Sequence, residues 1–320
     1  MTTFGDQLFQ FGGAPVGLPA GGLELCGGKV FFCDPTHGST SGDATTPATA
    51  NTNLKTVYGL TRDGYNDIVF LLGGATAYNP AAAFTWSNSY CHLIGISPNL
   101  PGLGQRARVV ALAATALTNC ITFSGASCYV KNIQFYNGAN TAIDAGAATV
   151  SATRCLFENC FFAGMGDATA SGPATRANAF SLTVSGDENV FLNCTIGLDT
   201  IIRSGLNSEL IMSGVRNHFT NCLFQSSSVT SGKFMVNIVT NQDTRLTRFD
   251  RCMFYNFTTN WATGIANAFT ITGAGDTYNV FLHDCVLGPG ITGWGDVITH
   301  IITADPAPSA GAGISVAVTT

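Results

Sequence analysis

Phe157-Glu158-Asn159-Cys160-Phe161-Phe162 is one copy of a sextet in which a large apolar residue, any residue, Asn, an apolar residue, any residue and an apolar residue follow one another. Val130-Lys131-Asn132-Ile133-Gln134-Phe135, Phe191-Leu192-Asn193-Cys194-Thr195-Ile196 and Phe219-Thr220-Asn221-Cys222-Leu223-Phe224 repeat it. Two looser copies follow, Phe249-Asp250-Arg251-Cys252-Met253-Phe254 and Leu282-His283-Asp284-Cys285-Val286-Leu287. Their third positions are 27, 34, 28, 30 and 33 residues apart. A period in this range marks a stacked architecture.

In a straight strand, residues two before, one after and three after the Asn could not share a face, so the break in parity requires a bend there. Asn tolerates the left-handed backbone conformation that such a corner needs. Each copy also follows an apolar, Ser/Thr-rich strand, as in Ile121-Thr122-Phe123, Phe180 to Val184, Leu210 to Ser213, Phe234 to Val239 and Phe269 to Thr272. Three strands per turn, repeated, predict an all-β chain folded as a right-handed parallel β-helix. A β-sandwich with Asn turns is the competing arrangement, but it has no need of the same corner and the same Cys five times. Asn132, Asn159, Asn193 and Asn221 are expected to lie over one another in a structural ladder.

The 320 residues suffice for one large core or two domains, and the continuous repeat favours one. Only 10% of residues are charged and 46% are hydrophobic, with a mean hydropathy of +0.25, so burial against other copies is expected. The net charge is −5 and the basic residues are scattered, apart from Arg245, Arg248 and Arg251, which argues against nucleic acid as a partner. No stretch reaches the roughly 18 apolar residues of a membrane span. The opening residues lack the basic and apolar regions of a secretion signal, so assembly in the cytoplasm is expected.

Cys160, Cys194, Cys222, Cys252 and Cys285 share one inward position of the sextet. They read as a column of small buried residues spaced by about 4.8 Å, a separation too wide for the roughly 3.8 Å between the Cβ atoms of a disulfide. Reduced thiols are predicted. No CxxC pair or Cys/His cluster has metal-ligand spacing, so neither a metal nor a cofactor is expected.

Residues 1–28 are rich in Gly, Pro and Phe, and read as an arm whose Phe4, Leu8, Phe9 and Phe11 dock on another chain. Residues 29–88 read as a cap and first coil, in which Asn53 starts a short helix with Leu54, Val57, Tyr58 and Thr61 on one face. That helix would plug the open end of the solenoid. The β-helix proper is assigned to 89–287, and 288–320 to a linker and one terminal strand, Ile314 to Val318.

The motifs GKVFFCDP (28–35), LKTVYGL (54–60) and DGYNDIVFLLGG (63–74), followed by HLIGISPN (92–99) and GQRARV (104–109), resemble the opening of phage β-helix proteins. These include tailspikes, pectate-lyase-like proteins and capsid-decorating trimers. The resemblance spans residues 28–287 and identifies the fold better than the activity. It implies homotrimers.

Enzymes of this fold resemble one another in mounting Asp, Glu, Arg or Lys on outward strand positions, and the strands before the sextet offer Thr122, Ser181, Thr183, Ser213, Asn237, Thr270 and Thr272 instead. The outward sextet positions hold Lys131, Glu158, Asp250 and His283. The best catalytic set is Glu158 with Asp187 and Glu188, flanked by Arg216 and His218, while solvated charges on an exposed sheet are the plainer expectation. Tyr255, Phe257 and Trp261 are read as an inter-coil loop, usable as a sugar platform or a subunit contact. Asp34 and Asp43 are expected to cap turns. His37, His92 and His300 follow no nucleophile–base spacing.

About seven coils make a rod on the order of 35 Å long, short for a fibre and suited to a squat trimer. With the uncharged strands and the apolar arm, the resemblance implies a non-enzymatic capsid decoration (cement) protein on the virion exterior, partnered by itself, the major capsid protein and other decoration proteins. The alternative is a tailspike-like polysaccharide lyase or hydrolase, or a glycan-binding module.

Overall fold

The computed structural model describes residues 10–11, 14–15, 28–97, 107–140, 142–167, 173–205, 207–239, 246–257, 264–272, 280–295 and 301–302. Three parallel sheets wrap one core. The first has ten strands and runs from Val30–Cys33 through Asp67–Leu72, Cys91–Ile96, Tyr129–Lys131, Leu156–Glu158, Val190–Leu192, His218–Thr220, Thr247–Asp250 and Val280–His283 to Ile301–Ile302. The second has seven, from Arg108–Ala111 to Val286–Leu287, and the third eight, from Phe84–Trp86 to Ile291–Gly295. The chain visits each sheet once per turn, so this is a parallel β-helix with three strands per coil.

The sextet is the corner between the first and second sheets. Asn132, Asn159, Asn193, Asn221, Arg251 and Asp284 have φ between 50° and 55°. The N–H of Asn159 donates to Leu192 O, that of Asn193 to Thr220 O and that of Asn221 to Asp250 O, which stacks successive corners. A second left-handed column, invisible to the sextet, turns the third sheet into the first: Asn66, Tyr90, Ser127, Arg154, Glu188, Arg216 and Leu246 have φ between 52° and 59°.

The amide ladder belongs to that second corner. Asn189 Oδ1 accepts from Cys155 N and Asn217 Oδ1 from Asn189 N, each at 2.9 Å, while their Nδ2 atoms donate to Ala152 O and Gly186 O. At the sextet corner Asn132 Oδ1 has no hydrogen-bond partner among the described residues, and Asn221 Oδ1 accepts from Arg251 Nε.

Inside, Phe157, Phe191, Phe219 and Phe249 stack face to face with centroids 4.9, 4.7 and 4.8 Å apart. This spacing is the distance between neighbouring strands, so in-register parallel pairing itself imposes the ring stack. Beside it, Cys160, Cys194, Cys222, Cys252 and Cys285 are buried thiols outside any disulfide. Each Sγ–H points to the carbonyl of the previous coil, as with Cys222 to Phe191 O at 3.3 Å and Cys252 to Phe219 O at 3.3 Å.

The helix Leu54–Tyr58 is capped by Asn53, whose side chain accepts from Lys55 N and Thr56 N. Leu54 and Val57 enter the core, and the Tyr58 ring lies 4.4 Å from that of Trp86. Asp34 and Asp43 each bond the backbone two residues on, at Thr36 and Thr45. The solenoid runs past residue 287: Ile291–Gly295 pairs with the third sheet and Ile301–Ile302 with the first. Gly290, at φ 77°, makes an ordinary turn between sheets rather than a terminus. Phe4, Leu8 and Phe9, and the strand expected over Ile314 to Val318, lie outside the described residues; the backbone at Phe11 belongs to a two-residue strand, Gln10–Phe11, paired with Ala14–Pro15.

Candidate functional site

Strand alternation decides which residues of the first sheet turn away from the core. Phe157, Phe191, Phe219 and Phe249 point inward, so their neighbours on either side point out. Coil by coil the outward pairs are Tyr129 and Lys131, Leu156 and Glu158, Val190 and Leu192, His218 and Thr220, Arg248 and Asp250, and Phe281 and His283. Two ionisable groups thus flank an apolar stretch formed by Leu156, Val190 and Leu192.

In the lower group Asp250 gathers three partners. His283 Nδ1 lies 2.6 Å from Oδ1, Arg248 Nη2 3.3 Å from Oδ1 and Arg251 Nη2 3.0 Å from Oδ2. The hydrogen bond with His283 and the two guanidinium groups hold the Asp250 carboxyl below the usual carboxylate range. The same hydrogen bond, reinforced by Asp284, raises the imidazole above its usual value. Asp250 is largely covered, whereas the His283 side chain is 57% exposed.

In the upper group Glu158 Oε1 lies 2.9 Å from Lys131 Nζ, and its Oε2 accepts from the Tyr129 hydroxyl. The expected pairing of Glu158 with Asp187 and Glu188 does not form. Glu158 ends its strand, whereas Glu188 occupies the second corner, level with Arg154, four residues back along the strand. There Glu188 bridges Arg154 (2.7 Å) and Arg216 (2.6 Å), and Asp187 Oδ1 accepts from Val215 N. His92 is buried and pushed down to about 4 by that burial; its Nδ1 accepts from Tyr129 N, a structural role.

Another cluster was missed because the strand before the fourth sextet starts earlier than its apolar run, at Ser208–Met212, and so carries Glu209. Glu209 Oε1 lies 2.9 Å from Lys233 Nζ and 3.4 Å from Arg203 Nε, and Oε2 accepts from Ser181 Oγ at 2.5 Å. Arg203 also donates to the carbonyls of Gly164 and Met165. The four side chains are fully buried between the second and third sheets. Gly197 (φ 101°) makes room: a Cβ there would lie 1.9 Å from Gln225 O and 3.0 Å from the Glu209 side chain. A glutamate followed 24 residues later by a lysine, each beside an apolar strand, was the available signal.

Tyr255 is a strand residue of the second sheet rather than part of a loop; its hydroxyl donates to Asp199 Oδ2 at 2.5 Å and lies 3.4 Å from Gln225 Oε1. Phe257 is exposed, and Arg245, Trp261 and His300 lie outside the described residues. The inter-coil loop expected for Tyr255 is therefore a strand.

No family model matches this chain, and no curated protein sequence matches it. Solved structures do. Pectin methylesterase PemA from Erwinia chrysanthemi is 14% identical, with a TM-score of 0.54 over 82% of this chain and 80% of that one. A pectin methylesterase in complex with a hexasaccharide is 16% identical, with a TM-score of 0.56 over the same shares. Escherichia coli ybhc is 10% identical, with a TM-score of 0.53 over 96% and 89%. At these identities the likeness is one of fold, and it bears out the parallel β-helix; a phage origin gains nothing from it. The expectation of a non-enzymatic chain is overturned, because the fold is shared over most of its length with enzymes named for a polysaccharide. The inference from uncharged strands fails as well, since Glu209 lies on one of them. Capsid decoration finds no support among these neighbours.

Proposed function

We propose that this chain acts on a polysaccharide lying across the outward face of the first sheet. One observation carries the reading: the sheet presents His218, Arg248 and His283, with the largely covered Asp250 between them, on three consecutive coils of a rigid surface, while Tyr129, Lys131 and Glu158 form a second, nearly covered group on the same face. Regular coils hold such groups at fixed spacing, as binding to a repeating polymer requires. Half-exposed Arg248 and Arg251 favour an anionic polymer. The likeness to pectin methylesterases agrees with this reading.

The test is incubation with methyl-esterified pectin, polygalacturonate, alginate and bacterial envelope polysaccharide, scoring methanol, new reducing ends, unsaturated products and bound polymer. Turnover or binding of one polymer, weakened by Arg248→Ala with Arg251→Ala, is expected. A folded chain that neither binds nor alters any of them would sink the reading.

A further inference from the structure

Resting on that reading, we propose that His283 is the proton acceptor of the site, with Asp250 as its positioning residue, and that the reaction is hydrolysis of an ester carried by the polysaccharide. The geometry is that of an oriented base. Asp250 Oδ1 holds Nδ1 at 2.6 Å, which fixes the tautomer with the proton on Nδ1 and leaves the Nε2 lone pair on the opposite edge of the ring. Nε2 has no hydrogen-bond partner among the described residues, and the side chain is 57% exposed. Asp250 does not need the imidazole for charge balance, since Arg248 and Arg251 already reach both of its oxygens. The Arg248 and Arg251 side chains are 48% and 54% exposed, which leaves guanidinium N–H groups able to meet a substrate oxygen on which charge develops.

The step balances as follows. A water oxygen forms a bond to the ester carbonyl carbon while Nε2 takes one of its protons. The carbonyl electron pair moves to oxygen, where Arg248 or Arg251 stabilises the charge. Collapse breaks the bond to the alcohol, which receives the proton from Nε2, leaving a carboxyl group and a free alcohol. Among the described residues, the ionisable groups facing His283 are Asp250 and Arg248 from the adjoining strand, Arg251 from the corner after it, and Asp284 at 3.7 Å; Ile301–Ile302 on the other side adds none. Because Asp250 raises the imidazole, activity should increase with pH through a midpoint above the ordinary histidine value.

Methanol release from methyl-esterified pectin by the full chain is the assay. His283→Ala should lower the rate about 100-fold or more, and added imidazole should restore part of it. Asp250→Asn should move the pH midpoint downward, a shift that loss of packing alone would not give. His283→Ala with a rate within a factor of three of the parent, or an unmoved midpoint in a folded Asp250→Asn, would overturn the base. If the chain turns over or binds another polymer but hydrolyses no ester, this inference falls while the polysaccharide reading stands. If it engages no polymer at all, both fall.

Discussion

Lys233 Nζ lies 2.9 Å from Glu209 Oε1 with both side chains at zero exposure, so two cations, Lys233 and Arg203, share one buried carboxylate. Burial drives the Glu209 carboxyl upward, and the two cations outweigh it, leaving the group below the usual glutamate range. Removing that charge strands both cations away from water. Glu209→Gln should cost roughly 3–5 kcal/mol, the usual effect of breaking a buried pair. Urea unfolding checks it, and a loss below about 1 kcal/mol would mean that water reaches the cluster.

The same crease gives the chain an alkaline signature. Burial pushes the Lys233 ammonium down to about 8 from 10.5, against the pull of Glu209. Between these values the unfolded chain binds a proton that the native chain has released, so stability contributed by this group rises with pH from about 8 to 10.5. Lys233→Met should flatten that rise and, by removing one of the two cations that hold Glu209 down, weaken the acid limb as well. On the acid side Glu209, depressed in the native state, contributes stability that is present above its ordinary value and lost as pH falls below it. Melting temperatures across both windows decide the point, and an unchanged alkaline slope in Lys233→Met would refute it.

The fold was legible because the first corner repeats a rare need. A left-handed residue between inward-pointing apolar residues leaves Asn at the third position in four coils of six, and parity does the rest. The second corner was hidden because it uses Asn66, Tyr90, Ser127, Arg154, Glu188, Arg216 and Leu246, which repeat no single residue type through the column, and the hydrogen bonds that hold them, such as Arg154 N to Asp187 O, run between coils. The candidate site was half legible. Asp250 and His283 stood out as outward sextet residues, but only strand register places them 2.6 Å apart across a gap of 33 residues. The buried cluster depends on where loops cross between sheets, which no local pattern encodes.

Those two corners differ in strain, and the difference can be measured. Leu246 holds φ 57° with a side chain 55% exposed, so it bears the left-handed cost with little packing in return. Leu246→Gly should raise stability by roughly 1 kcal/mol, whereas Asn193→Val, at φ 54°, should lower it by about 1–2 kcal/mol. Denaturant midpoints for the pair test the claim, and equal effects of the same sign would contradict it.

The thiol column gives the last test, since a core this regular should protect its sulfurs cooperatively. Burial drives Cys194, Cys222 and Cys252 well above the ordinary thiol range, and all ten cysteines among the described residues are buried. In the folded chain the buried column lacks reagent access, so its alkylation at pH 8 should proceed only as fast as the chain unfolds. Cys155 differs, because its hydrogen bond with Cys128 pulls it down against burial. Cys155 lies at the second corner, beside the loops, and local opening there should label it ahead of the column. Mass spectrometry of peptides after timed alkylation would show the order, and prompt labelling of Cys194 or Cys222 in folded protein would mean that the inner coils open independently rather than as one stack.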